Sequence, residues 1–163
     1  MNLSPDGVRR FTLQSRGQPS SEAASGQNAV SIFLVEDNPA DAGLLRKSLE
    51  QHDFEGELVI ATDGESAIQF IDLMDSQQVE CPHLVIIDLN LPKRSGREVL
   101  VRMRRSARCG KVPIVILSSS DVQQDKADAA RLGATQYLRK PSRLDEFLDL
   151  GRIFKDILGG SPR

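Results

Sequence analysis

Charge of one sign is not in excess: 21 lysines and arginines stand against 23 aspartates and glutamates, a net charge of −2. So close a balance gives no long-range attraction to nucleic acid or to an anionic membrane surface, so partners must be recognised by local surface. Cysteine is scarce. Cys81 and Cys109 stand far apart, with neither a Cys-x-x-Cys pair nor Cys/His ligand spacing. That pattern argues against a zinc site and reads as two reduced, cytosolic thiols. Long apolar runs are also missing: no stretch approaches the length of a membrane span. Arg9-Arg10-Phe11 has a faint twin-arginine look, but no apolar signal segment follows it. The chain is expected in the cytoplasm.

What is present suits one domain of ordinary core size: 163 residues, 39% of them hydrophobic. Residues 1–29 are rich in Ser, Gly, Gln and Pro without apolar periodicity, the composition of a segment that cannot offset its ordering entropy. They are expected to form a flexible tail. The folded domain is expected over 30–158, with Gly159-Gly160-Ser161-Pro162 opening a short C-terminal tail at 159–163.

Between those limits strand-like and helix-like segments alternate about five times, which predicts an α/β fold with a doubly wound parallel sheet. The apolar runs Phe33-Leu34-Val35, Leu58 to Ala61, Leu84 to Ile87, Val112 to Leu117 and Thr135 to Leu138 read as its strands. Asn38-Pro39 with Asp41 reads as an N-cap, a first-turn proline and a first-turn acid. A third helix is expected to end near Gly110. The last is expected to open on Ser142 and Asp145 as a capping box, with Leu144, Phe147, Leu148, Phe154 and Leu158 inward.

The runs stop at polar residues: Glu36 and Asp37, Asp88, and Ser118, while Tyr137-Leu138 leads to Lys140-Pro141. Open parallel sheets bind ligands beyond the carboxyl ends of their strands, at the switch in strand order. With the order 2-1-3-4-5, Glu36 and Asp37 come beside Asp88, and Ser118 and Lys140 follow on adjacent strands. Three clustered carboxylates repel one another unless a cation compensates them, which calls for Mg2+ and for Lys140. Asp37 and Asp88 are expected as direct ligands, the backbone carbonyl of Asn90 as a third, and Glu36 through water.

Glu36-Asp37-Asn38, Asp88-Leu89-Asn90-Leu91-Pro92, Ser118 and Lys140-Pro141 together resemble the receiver domains of two-component response regulators, over about Ser31 to Leu158. The resemblance implies the flavodoxin-like receiver fold of five strands. It also implies Mg2+-dependent transfer of a phosphoryl group from a sensor histidine kinase to the Asp88 carboxylate. Lys140 and the Ser118 hydroxyl would then contact phosphate oxygens, and Ser118 and Tyr137 would act as the switch. Such a protein is a signalling phosphoacceptor rather than an enzyme with a turnover substrate.

The details Glu36 to Asp41 and Asp88 to Lys93 look like the single-domain receivers associated with bacterial phytochromes, so a phytochrome kinase is an implied partner. A homodimer through helix 4, strand 5 and helix 5 is implied as well. Arg94-Ser95 departs from the relatives' usual apolar residue and Asp.

Three other classes compare less well. A flavodoxin-like cofactor binder wants hydroxyls and amides, not acids, after its first strand. A phosphatase of the haloacid dehalogenase type wants an acid where Asn90 stands. A receiver-shaped interaction module that works without phosphorylation would not need Asp37, Asp88 and Lys140 together. Arg102, Arg104, Arg105 and Arg108 read as a solvated helix face, with no role in nucleic-acid binding.

Overall fold

The computed structural model describes residues 5–14 and 29–160. Its centre is a six-stranded sheet built from β1 (Val8–Leu13), β2 (Val30–Val35), β3 (Gly56–Ala61), β4 (Leu84–Ile87), β5 (Ile114–Ser118) and β6 (Gln136–Arg139). The spatial order is β1-β3-β2-β4-β5-β6. The five strands from β2 onward are parallel and lie in the expected 2-1-3-4-5 order, so the switch falls between β2 and β4.

Unbroken apolar strands make two cores, because successive side chains point to opposite faces. Phe33, Val35, Val85, Ile87 and Ile116 face α2 (Gly64–Asp75) and α3 (Gly96–Arg104), meeting Phe70, Met74, Val99 and Met103. Their neighbours Ile32, Leu34, Leu84, Ile86 and Val115 face the other way, onto Leu45 and Leu49 of α1 (Pro39–Gln51) and Phe154 of α6 (Leu150–Gly160). All four residues of β4 are fully buried. Asn38 caps α1 as its sequence announces, accepting from Ala40 and Asp41 backbone N–H groups at 2.9 and 3.4 Å.

The first correction concerns the expected N-terminal tail. Val8–Leu13 is an edge strand, antiparallel to β3 with Val8 opposite Ala61 and Leu13 opposite Gly56. Leu13 is completely buried, and the Arg46 guanidinium lies 4.5 Å from the centre of the Phe11 ring. Arg10 donates to both carboxylate oxygens of Glu57 at 3.0 Å. Thr62 N–H donates to the Gly7 carbonyl at 2.9 Å. Six residues with adjacent arginines carry little apolar periodicity; their burial comes from the β3 edge they cover. The rest of the expected tail, 15–28, and residues 161–163 lie outside the described residues.

The cysteines are not free thiols. Cys81 and Cys109 form a disulfide that joins the loop after α2 to the loop after α3, with Cα atoms 5.5 Å apart. Their spacing in the chain hides that the two loops meet. The last helix is also two: α5 (Leu144–Leu148) and α6 are separated at Asp149. Ser48 on α1 fills that break, its Oγ donating to the Leu148 carbonyl at 2.6 Å and accepting from Gly151 N–H at 2.7 Å.

Ser142 caps nothing here: the N-cap of α5 is Arg143, without a side-chain bond, and Leu144 is exposed. The capping box lies instead at Ser95 and Glu98, opening an α3 that stops at Arg104. Gly159 and Gly160 finish α6 rather than starting a tail. Of the arginine run, Arg102 pairs with Asp72 and Asp75, Arg104 donates to the carbonyls of Gly110 and Gly133, and Arg108 donates to the Met74 carbonyl at the end of α2. Three of these arginines hold the fold together.

Leu13→Ala will lower unfolding free energy by about 2–4 kcal/mol, the cost of emptying a closed core position. Urea unfolding measures it, and an unchanged midpoint would mean that β1 does not stay on the sheet.

Candidate functional site

The polar ends of the strands gather where the order reverses. The backbone N–H of Glu36 donates to the Ala61 carbonyl at 3.0 Å and that of Asp88 to the Val35 carbonyl at 3.0 Å, so both acids leave the sheet in register. Gly96 lets the chain pass close behind the site. A Cβ there would lie 2.2 Å from the Asp88 carbonyl oxygen, which excludes any side chain.

Glu36, Asp37 and Asp88 each offer a carboxylate oxygen, and these oxygens all lie within 4.8 Å of one another. Glu36 is 1% exposed and Asp88 6%, whereas Asp37 is open to solvent. Glu36 Oε2 accepts from Asn38 N–H at 3.1 Å, and Asp88 Oδ1 accepts from Asn90 N–H at 3.1 Å. Glu36 Oε1 has no hydrogen bond of good angle, although the Lys140 ammonium is 2.9 Å away as an ion pair. A buried anionic oxygen without a hydrogen bond, beside two further carboxylates, fits a hard divalent cation that takes oxygen ligands.

Lys140 reaches this cluster from the end of β6, where its backbone N–H donates to the Ser118 carbonyl at 2.7 Å. Its Nζ lies 2.9 Å from Glu36 Oε1, 2.9 Å from Asp41 Oδ2 and 3.2 Å from Asp88 Oδ2. Burial pushes the ammonium's pKa down, but its close pairing with Glu36, its hydrogen bond to Asp41 and the charges of Glu36 and Asp88 outweigh it and hold Lys140 above the usual lysine range. Burial and the Asp88 charge push the Glu36 carboxyl up to about 7 against the pull of Lys140.

Asp41 reads in the sequence as a first-turn acid and as the end of the Glu36 to Asp41 motif, without a place among the site residues; the structure adds it to the site. Its signal is limited to its place in the first turn of α1, directly after the strand end that carries Glu36 and Asp37.

Ser118 closes β5 fully buried, and its Oγ accepts from Ser120 N–H at 3.1 Å. Tyr137 is half-buried and its hydroxyl donates to the Ser120 carbonyl at 2.9 Å. Ser120 Oγ in turn donates to Asp125 Oδ2 at 2.6 Å, at the start of α4 (Gln123–Arg131). One loop residue therefore links the Ser118 hydroxyl, the Tyr137 hydroxyl and a helix that buries only Ala129.

Known proteins are similar to this chain in sequence and in fold. Two relatives of established sequence cover most of the chain. The probable methanogenesis regulatory protein FilR2 of Methanothrix harundinacea is 34% identical over 143 residues, 88% of this chain and 90% of its own. The response regulator Rcp1 of Synechocystis is 32% identical over 120 residues, 73% of this chain and 82% of its own.

Among solved structures, the Mn2+-bound form of Rcp1 superimposes with a TM-score of 0.73 at 29% identity, covering 82% of this chain and 97% of the other. The phosphorylated cyanobacterial phytochrome response regulator RcpA does so with 0.75 at 29%, covering 83% and 97%. The response regulator receiver domain matches residues 32–151, a span that begins inside β2, ends in α6 and holds every residue of the acidic cluster together with Lys140. With the family match over residues 32–151 and relatives that agree in sequence and fold, the chain belongs to the response regulator receiver domain family.

Proposed function

We propose that this chain is a response regulator receiver whose Asp88 carboxylate accepts a phosphoryl group from a sensor histidine kinase. The observation that carries the reading is the Lys140 ammonium between Asp88 and Glu36, at the carboxyl end of the strands where three carboxylates converge. An Asp88 oxygen attacks phosphorus as the bond from phosphorus to the kinase's imidazole nitrogen breaks. The imidazole leaves with that electron pair and takes up a proton, and Asp88 becomes an acyl phosphate.

Asp37, Asp88 and the Asn90 carbonyl would hold Mg2+ directly, with Glu36 through water. The ion supplies charge neutralisation for the transferring oxygens. Lys140 pairs with a phosphate oxygen, and the Ser118 hydroxyl leaves Ser120 N–H to hydrogen-bond another. The hydrogen bonds of Ser118 and Tyr137 to Ser120 support these two as the switch, since moving one removes a partner of the loop that holds the other.

The responding surface would be α4, β6 and the α5–α6 pair, through which a second copy would dock. A bacterial phytochrome is the proposed kinase class, by similarity to relatives such as RcpA. No helix among the described residues is long and apolar enough to cross a membrane, and a kinase that draws on ATP favours the cytoplasm.

Acetyl phosphate with Mg2+ will add the mass of one phosphoryl group, stable in acid and labile in base, and Asp88→Asn will abolish it. No mass gain in the wild type would leave a phosphorylation-independent interaction module. Asp37→Asn will weaken Mg2+ binding by about tenfold or more, because it removes one charge from a site tuned by ligand charge; calorimetry reads the change. Mg2+ affinity will rise with pH through about 7, as Glu36 loses its proton, and level off above. Without metal the sign reverses for stability. A carboxyl raised to about 7 from 4.5 binds more proton folded than unfolded, so this group's contribution to stability declines as pH rises across that window.

A further inference from the structure

Lys140 has one carboxylate partner more than the phosphoryl-transfer reading requires. Asp41 Oδ2 is as close to Nζ as Glu36 is, 2.9 Å, yet Asp41 stands outside the group of acids whose oxygens converge for a cation. Its side chain is 22% exposed against 1% for Glu36 and 8% for Asp88, so it is the lysine's solvent-side partner. α1 fixes its position. The Asn38 cap accepts from Asp41 N–H at 3.4 Å, which fixes Asp41 in the first turn of the helix.

We infer that Asp41 is a positioning residue that keeps the Lys140 ammonium beside Asp88 when the cation site is filled. An ammonium has three N–H donors, and here three carboxylates surround it. A dication held by Glu36, Asp37 and Asp88 takes up the charge of two of those partners and repels the ammonium at short range. Asp41 is then the carboxylate left to Lys140. It holds the ammonium where an incoming phosphoryl oxygen meets it and offsets the like charge of the metal. A lysine without this tether would swing away on its four-carbon stem, and misplacement of such a group by about 1 Å is enough to slow a reaction markedly.

The inference rests on the phosphotransfer reading, and two readouts on the full chain test it. With acetyl phosphate at saturating Mg2+, intact-mass kinetics should show Asp41→Asn and Asp41→Ala phosphorylated about tenfold more slowly than wild type. Asp41→Glu, which retains the charge, should recover most of the rate. In a Lys140→Ala background Asp41→Asn should cause no further loss, because the effect runs through the lysine.

Independently of any turnover, the side-chain 15N resonance of Lys140, assigned by its loss in Lys140→Ala, should persist on adding Mg2+ to wild type and Asp41→Glu. In Asp41→Asn it should broaden away. Wild-type phosphorylation kinetics in Asp41→Asn, an equal loss in the Lys140→Ala background, or a lysine resonance indifferent to Asp41 would each overturn the inference while leaving Asp88 as phosphoacceptor. A wild-type chain that takes up no phosphoryl group would overturn both.

Discussion

One ammonium among three carboxylates is the constraint on which the site depends. Glu36 and Asp88 sit nearly out of water at neighbouring strand ends, where like charge and lost hydration oppose ionisation, and Lys140 is the cation that reaches both. The raised pKa values of Lys140 and Glu36 have different origins, carboxylate neighbours for the lysine and burial for the acid. Burial works against both charges, and only the lysine has enough opposite charge around it to overcome the penalty. A site so balanced gains from any added positive charge near its oxygens, which links cation binding to the phosphoryl chemistry proposed for Asp88.

The balance is held by a stiff support. Strands β2 and β4 are buried on both faces, so the backbone that presents Glu36 and Asp88 is fixed by two cores at once. At the far end of the sheet the disulfide and the Asp75–Ser106 and Asp75–Arg102 contacts lock the loops after α2 and α3. β1 covers the β3 edge. Ser48 satisfies the backbone groups freed between α5 and α6, turning a break in the helix into a fixed joint with α1.

The opposite flank is loosely attached. Helix α4 contributes one buried alanine and is held by ion pairs from Arg97 on α3 to Asp125 and Asp128, while Ser120 ties its start to Ser118 and Tyr137. Few apolar contacts and many polar ones describe a segment that can rearrange at small cost, next to the proposed phosphoacceptor rather than remote from it. A buried acidic pocket set beside a helix whose position a few hydrogen bonds decide is the pairing that a local charge switch needs.

Much of this was legible before folding. Val85-Ile86-Ile87 followed by Asp88 marks a buried strand and its functional end, because a parallel strand covered on both faces needs an unbroken apolar run and its ligand lies past the carboxyl terminus. Asn38-Pro39 likewise marks the start of α1, since capping is local chemistry.

The tertiary structure alone decided what depends on distant neighbours. Arg9-Arg10 gave no sign of a strand until the edge of β3 was there to pair with it, and Cys81 had no visible partner until two loops met. Ser142 lost its cap to Ser95, and the last helix divided where Ser48 offered it other hydrogen bonds. Asp41 shows the limit most directly. The sequence placed its carboxylate on the first turn of α1, but only the folded chain could bring Lys140 to it, because electrostatic partnership is set by distance in space and not along the chain.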